Sequence, residues 1–165
     1  MILVEADVSG EWDSSTDWSA LAERSVSAAV GHSRHADLAS AEVEVSVKFT
    51  SDEEVRALNA AWRGKDKPTN VLSFPMVEEA RLGSPCEPLL GDIVLAHGVC
   101  AEEAADRRVT IEAHAAHLVV HGTLHLLGYD HDTSEADAEE MEETERRALA
   151  AIGIADPYQA TEVHT

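Results

Sequence analysis

Residues 118–127 read Leu118-Val119-Val120-His121-Gly122-Thr123-Leu124-His125-Leu126-Leu127, and as a helix this run is apolar nearly all the way round. A helix without a polar face is buried on every side, so the remainder of the chain has to be built around it. His121 and His125 are four residues apart, one turn above the other on one face, where both imidazoles can reach a single ion. Gly128 follows where a stopping helix needs a residue able to take positive φ, and the reversal would return His131 toward the pair. Three nitrogen ligands leave the fourth position of a tetrahedral Zn²⁺ to water, the arrangement of catalytic rather than structural zinc. The alternative for buried imidazoles is a histidine cluster satisfied by carboxylates, because each buried ring needs a partner.

The spacing His-x-x-x-His-x-x-Gly-x-x-His is that of the metzincin proteases, where the residue after the first histidine is the glutamate that serves as general base. Here it is Gly122, so a peptidase would lack its proton acceptor. The full string from His121 to His131 instead closely resembles the signature of the YbeY family, the bacterial endoribonucleases of ribosomal RNA maturation. A second block, Arg63-Gly64-Lys65-Asp66-Lys67-Pro68-Thr69-Asn70-Val71-Leu72-Ser73-Phe74-Pro75, also resembles that family, as does Gly91-Asp92-Ile93. The resemblance runs from about residue 42 to about residue 150, in the family's order.

That resemblance implies a zinc-dependent hydrolase that cuts single-stranded RNA. Its setting would be ribosomal RNA maturation, at the 3′ end of the small-subunit RNA, and ribosome quality control. One Zn²⁺ per chain would sit on His121, His125 and His131, and Arg63 would hold the phosphate, which a planar guanidinium does bidentately. The implied partners are ribosomal RNA, the small ribosomal subunit and its assembly factors. Judged on its own residues, without that resemblance, Arg63 reads as a helix-terminal arginine in a surface ion pair. Two other function classes stand beside this one, a metzincin-like metalloprotease and a noncatalytic, metal-stabilised ribosome-assembly factor.

Net charge bears directly on an RNA substrate. At −20 over 165 residues the chain is strongly acidic, whereas phosphate contacts come from basic surfaces. The distribution matters more than the sum: Lys48, Arg56, Arg63, Lys65 and Lys67 fall within twenty positions, while acids crowd elsewhere, from Glu135 to Glu145 among other places. A local basic patch on an acidic body is one reading and a solvated loop carrying lysines is the other. The overall charge argues against broad, nonspecific nucleic-acid binding. The start of the chain shows no basic leader, and no run of about 20 apolar residues appears. A cytoplasmic protein without membrane association is therefore expected. Its two cysteines, Cys86 and Cys100, are too few for a disulfide framework and read as buried or idle thiols.

Alternation predicts strands over residues 2–8 and 43–49, a run of strand formers predicts one over 71–74, and a short apolar run one over 93–96. Asp17 should cap a helix with Trp18, Leu21, Ala22, Val26, Ala29 and Val30 on one stripe, stopped by Gly31. The segment Thr50-Ser51-Asp52-Glu53-Glu54 offers capping boxes for a helix that buries Val55, Leu58 and Trp62 before Gly64 ends it. Residues 76–90 read as a mobile loop, 99–106 as a helix, Thr110 as the start of the histidine helix, and Ser134 as the cap of a last helix stopped by Gly153. The sum is an α+β domain, a small mixed sheet of about four strands with packed helices and the histidine helix central, spanning residues 1–154 with 155–165 as a disordered tail. A chain of this length can bury about 70% of its unfolded surface in one core. His114 and His117 share the stripe of the ligand pair and should support the site from outside it. His32, His35 and His97 read as surface or core residues, His164 as irrelevant, and Asp130 either orients a ligand or shapes the turn.

Overall fold

The computed structural model describes residues 1–130 and 133–158. The strand segments become four strands, β1 (Ile2–Val8), β2 (Val43–Thr50), β3 (Val71–Pro75) and β4 (Leu89–Ala96). Between and after them run α1 (Trp18–His32), α2 (Asp52–Arg63), α3 (His97–Arg107), α4 (Ile111–Leu126) and α5 (Glu135–Ala151). The sheet order is β1-β2-β4-β3, with β1 and β4 parallel to β2 and β3 antiparallel to β4. This is the mixed four-stranded α+β architecture that the sequence pattern predicts.

Every predicted N-terminal cap is used. The side chains of Asp17, Ser51, Thr110 and Ser134 accept from the backbone amides of Ala20, Glu54, Ala113 and Asp137 at 3.0, 3.1, 3.0 and 3.1 Å, satisfying donors that the first turn of a helix otherwise orphans. Gly64 caps α2 in the left-handed conformation, φ 68°. Gly31 does not stop α1, which continues one residue further to His32.

One face of the sheet, carrying Val45, Val47, Phe49, Ile93 and Leu95, packs with α1, α4 and α5 into the main core. Eleven of the sixteen residues of α4 are buried, so the histidine helix is central as its all-round apolarity requires. The opposite face is only partly covered. There α2 and α3 place Val55 and Val99 over Leu72, Val94 and Ala96, a small second cluster on the β3–β4 side, while Leu3, Glu5 and Asp7 of β1 stay exposed.

Two expectations change. Residues 76–90 are tied down rather than mobile. Val77 is buried, residues 79–81 form a 3₁₀ turn, and the segment from Leu89 already pairs in β4. Trp62, expected on the buried stripe of α2, is 73% exposed, because the last turn of α2 overhangs the uncovered half of the sheet.

Candidate metal centre

The ligand pair stands on α4 as the spacing requires. The rings of His121 and His125 lie 4.6 Å apart, centroid to centroid, with their Nε2 atoms 3.0 Å from one another. Each Nδ1 is already engaged. His121 Nδ1 is 2.5 Å from Glu145 Oε1, and His125 Nδ1 is 2.9 Å from the carbonyl oxygen of Tyr129. Both partners only accept, so both Nδ1 atoms carry the proton and donate. With both rings neutral, the two Nε2 lone pairs converge on one point, as ligands to a single ion do. The donor set therefore fits a metal ion, and the tautomer it needs is imposed by oxygens behind the rings.

His131, the expected third ligand, lies outside the described residues. Among the described residues no group of three histidine, cysteine, aspartate or glutamate side chains converges to hold a metal. His164 and the last part of the expected tail, residues 159–165, also lie outside them. Tyr158, within that expected tail, is docked instead. Its hydroxyl donates to Glu145 Oε2, and its ring is 6.0 Å from that of His117.

Glu145 is the residue that sequence reasoning missed. It sits in the acidic run of α5 and is fully buried, facing α4 from a neighbouring helix. Its Oε1 meets His121, while its Oε2 is 3.4 Å from His117 Nε2 and also accepts from Tyr158. Burial alone would raise its pKa, but the hydrogen bonds from His117 and His121 outweigh burial and hold the carboxyl at about 2. The only sequence signal was its place on the apolar stripe with Met141, Ala148 and Leu149, where a carboxylate needs a buried partner. His114 is held likewise, its Nε2 2.8 Å from Glu103 Oε1, with burial pushing the imidazole below its ordinary value against the pull of that carboxylate. The carboxylate-satisfied cluster and the ligand pair are thus both present on one helix.

Gly122 explains the absent glutamate. A Cβ there would come within 2.9 Å of Ser73 Oγ and 3.0 Å of Ile93 Cγ2, so α4 rests on β3 and β4 at this residue and leaves no room for a general base. Ser73 Oγ donates to the Gly122 carbonyl at 3.2 Å across the contact.

Arg63 ends α2, and its Nη2 donates to the Ser73 carbonyl at 3.1 Å. It thereby reaches the strand that leans on the histidine helix. No carboxylate pairs with it among the described residues. Within the basic segment, Lys48 pairs with Glu54 at 2.6 Å and Arg56 with Asp66 at 2.8 Å. That leaves Arg63, Lys65 and Lys67 without a carboxylate partner among the described residues. Asn59 Nδ2 donates to the Lys67 carbonyl at 2.9 Å and holds this loop against α2. Cys100 is buried, with burial pushing its thiol up to about 12, and Cys86 is exposed. No helix among the described residues is long and apolar enough to cross a membrane.

Comparison with known proteins bears on this geometry. Residues 9–153 match the family described as "Endoribonuclease YbeY". Proteins carrying that same name are similar over nearly the whole chain. One from Novosphingobium aromaticivorans is 51% identical, with 94% of this chain and 95% of the relative covered. One from Erythrobacter litoralis is 53% identical, with 90% of each covered. The fold is similar to a solution structure of a Thermotoga maritima protein, with TM-score 0.58 and 26% identity, covering 99% of this chain and 93% of the other.

Proposed function

The chain belongs to the YbeY endoribonuclease family, and from that premise we propose that it is a zinc-dependent endoribonuclease that cuts single-stranded RNA in ribosomal RNA maturation. We place its action at the 3′ end of the small-subunit RNA and in ribosome quality control, in the cytoplasm, beside the small subunit and its assembly factors. The observation that carries the metal dependence is the pair of facing Nε2 atoms, 3.0 Å apart, each ring locked from behind by an accepting oxygen.

His121, His125 and His131 would hold the ion. When bound there, the ion would supply a water of pKa lowered toward about 7 and polarisation of a phosphoryl oxygen. The protein's own contribution begins with Glu145, which fixes the tautomer of His121 while Tyr158 fixes Glu145. The Tyr129 carbonyl does the same for His125. Arg63, exposed and without a carboxylate partner among the described residues, exchanges its bond to the Ser73 carbonyl for a charge-assisted pair with phosphate and stabilises the charge that develops there. A metzincin-like protease is disfavoured by Gly122, whose contact with Ser73 and Ile93 excludes the glutamate that such chemistry needs.

The test is metal analysis and cleavage of a single-stranded RNA by metal-replete protein beside His125→Ala. Wild type is expected to carry zinc and cut RNA, with both lost together in the variant. Wild type that cuts casein but leaves RNA intact would establish the protease. RNA binding without cleavage by zinc-loaded protein would establish the noncatalytic assembly factor.

A further inference from the structure

A large exposed indole on a strongly acidic protein needs a reason. Trp62 is 73% exposed, while the two other tryptophans, Trp12 and Trp18, are buried at 2% and 3%. It stands at the rim of a groove of about 890 Å³ on the partly covered face of the sheet. Phe74 and Leu58 line that groove on the side of the indole, and the Phe74 ring lies 6.5 Å from the Trp62 ring, near edge-on. Directly after Trp62 come Arg63, Lys65 and Lys67, three cations with no carboxylate partner among the described residues, in a chain of net charge −20. An aromatic plane flanked by uncompensated cations is the pairing that single-stranded nucleic acid takes, with bases on the ring and phosphates on the charges. The groove floor carries Glu5, Asp7 and Asp92, so phosphates are repelled from it and kept to the rim. Arg63 also ties this rim to β3, the strand next to the candidate metal centre, because it bonds the Ser73 carbonyl and Ser73 bonds Gly122, the neighbour of His121.

We propose that Trp62 is a stacking platform for an unpaired nucleobase of the RNA strand whose phosphate Arg63 holds, with the groove beside it receiving the apolar face of that base. This rests on the nuclease reading above and adds how the strand is selected. A duplex keeps its bases stacked on one another and cannot offer one to Trp62, so preference for single strands follows from the indole rather than from the metal.

Because Trp12 and Trp18 are buried, fluorescence quenching on RNA addition reports Trp62. The experiment mixes zinc-loaded protein with a mixed-sequence RNA oligonucleotide of about 12 nucleotides in a stopped-flow instrument, which reads binding before cutting. The same strand in a blunt duplex is run beside it. The single strand is expected to quench and the duplex to quench little. Trp62→Ala should weaken single-strand binding, read by anisotropy, by about tenfold to a hundredfold, and Trp62→Phe should recover most of it. Equal binding by Trp62→Ala and wild type overturns the proposal, as does equal quenching by duplex. Quenching by an apolar helical peptide but not by RNA also overturns it and assigns the groove to a protein partner. Wild type that cuts RNA while Trp62→Ala binds as tightly as wild type leaves the nuclease reading intact and removes only this one. Trp62-dependent binding by a zinc-loaded protein that never cuts removes the nuclease reading and leaves this one standing.

Discussion

At the scale of single residues, Glu145 and Arg63 should fail in different ways. Glu145→Gln keeps the shape of the side chain but turns one acceptor into a donor. His121, His117 and Tyr158 surround that carboxylate, so the amide leaves one acceptor where there were two and no negative charge behind His121. The His121 ring is then held less firmly and is a weaker base toward the ion. Zinc affinity should fall about tenfold to a hundredfold, the range for loss of a carboxylate behind a histidine ligand, and titration against a competing chelator measures it. Affinity equal to wild type would reduce Glu145 to a buried structural acid. Arg63→Glu, by contrast, lies outside the ligand pair and should retain zinc and fold. Cleavage should drop about a hundredfold or more at saturating RNA if the guanidinium acts on the transition state. If it only collects substrate, the defect should shrink as RNA is raised. Unchanged rates at both low and high RNA would place the phosphate elsewhere.

At the scale of elements, two contacts set where α4 lies. Gly122 lets the helix settle on β3 and β4, and Gly122→Ala inserts a methyl group 2.9 Å from Ser73 Oγ and 3.0 Å from Ile93 Cγ2. Both neighbours belong to the sheet and cannot swing away freely, so the variant should lose about 1–3 kcal/mol. Thermal unfolding should read this as a drop of several degrees. The segment between β3 and β4 is the second contact. Glu79 in its 3₁₀ turn meets Arg34 at 2.9 Å and His35 at 2.7 Å, while Arg34 stacks over the Tyr129 ring at 4.1 Å. Hydrogen bonds from Arg34 and His35 hold the Glu79 carboxyl below its ordinary range. A carboxyl lowered in the folded state stabilises above its unfolded pKa of about 4.3, and that gain is lost as pH falls through the lower folded value. At 41% side-chain exposure the contribution is screened, on the order of 0.5 kcal/mol. Glu79→Gln should therefore melt about 1–2 °C below wild type at neutral pH, with the gap closing near pH 3; a gap that persists there would show that shape, not charge, ties the segment down.

At the scale of the whole molecule, the net charge of −20 and the three uncompensated cations make a joint prediction. If Arg63, Lys65 and Lys67 supply the phosphate contacts, log affinity for single-stranded RNA should fall with log salt at a slope of about −2, from about 0.7 per contact. A much steeper slope would require a basic surface that the acidic body lacks. The sequence by itself determined the local grammar, namely four short strand segments, four capped helix starts, an all-round apolar helix that had to be central, and a histidine pair one turn apart. Those follow from backbone periodicity and from side chains that bond their own neighbours, which adjacent residues suffice to specify. Only the tertiary structure decided that Glu145, twenty residues beyond His125 and within an acidic run, turns inward to lock His121, and that Gly122 is a contact rather than a missing base. It also decided that Trp62 stands free and that the segment after β3 is fastened by Arg34. Each of these depends on which element passes over a given face and how close it comes, and that distance is set by packing between segments far apart in the chain, which local periodicity does not encode.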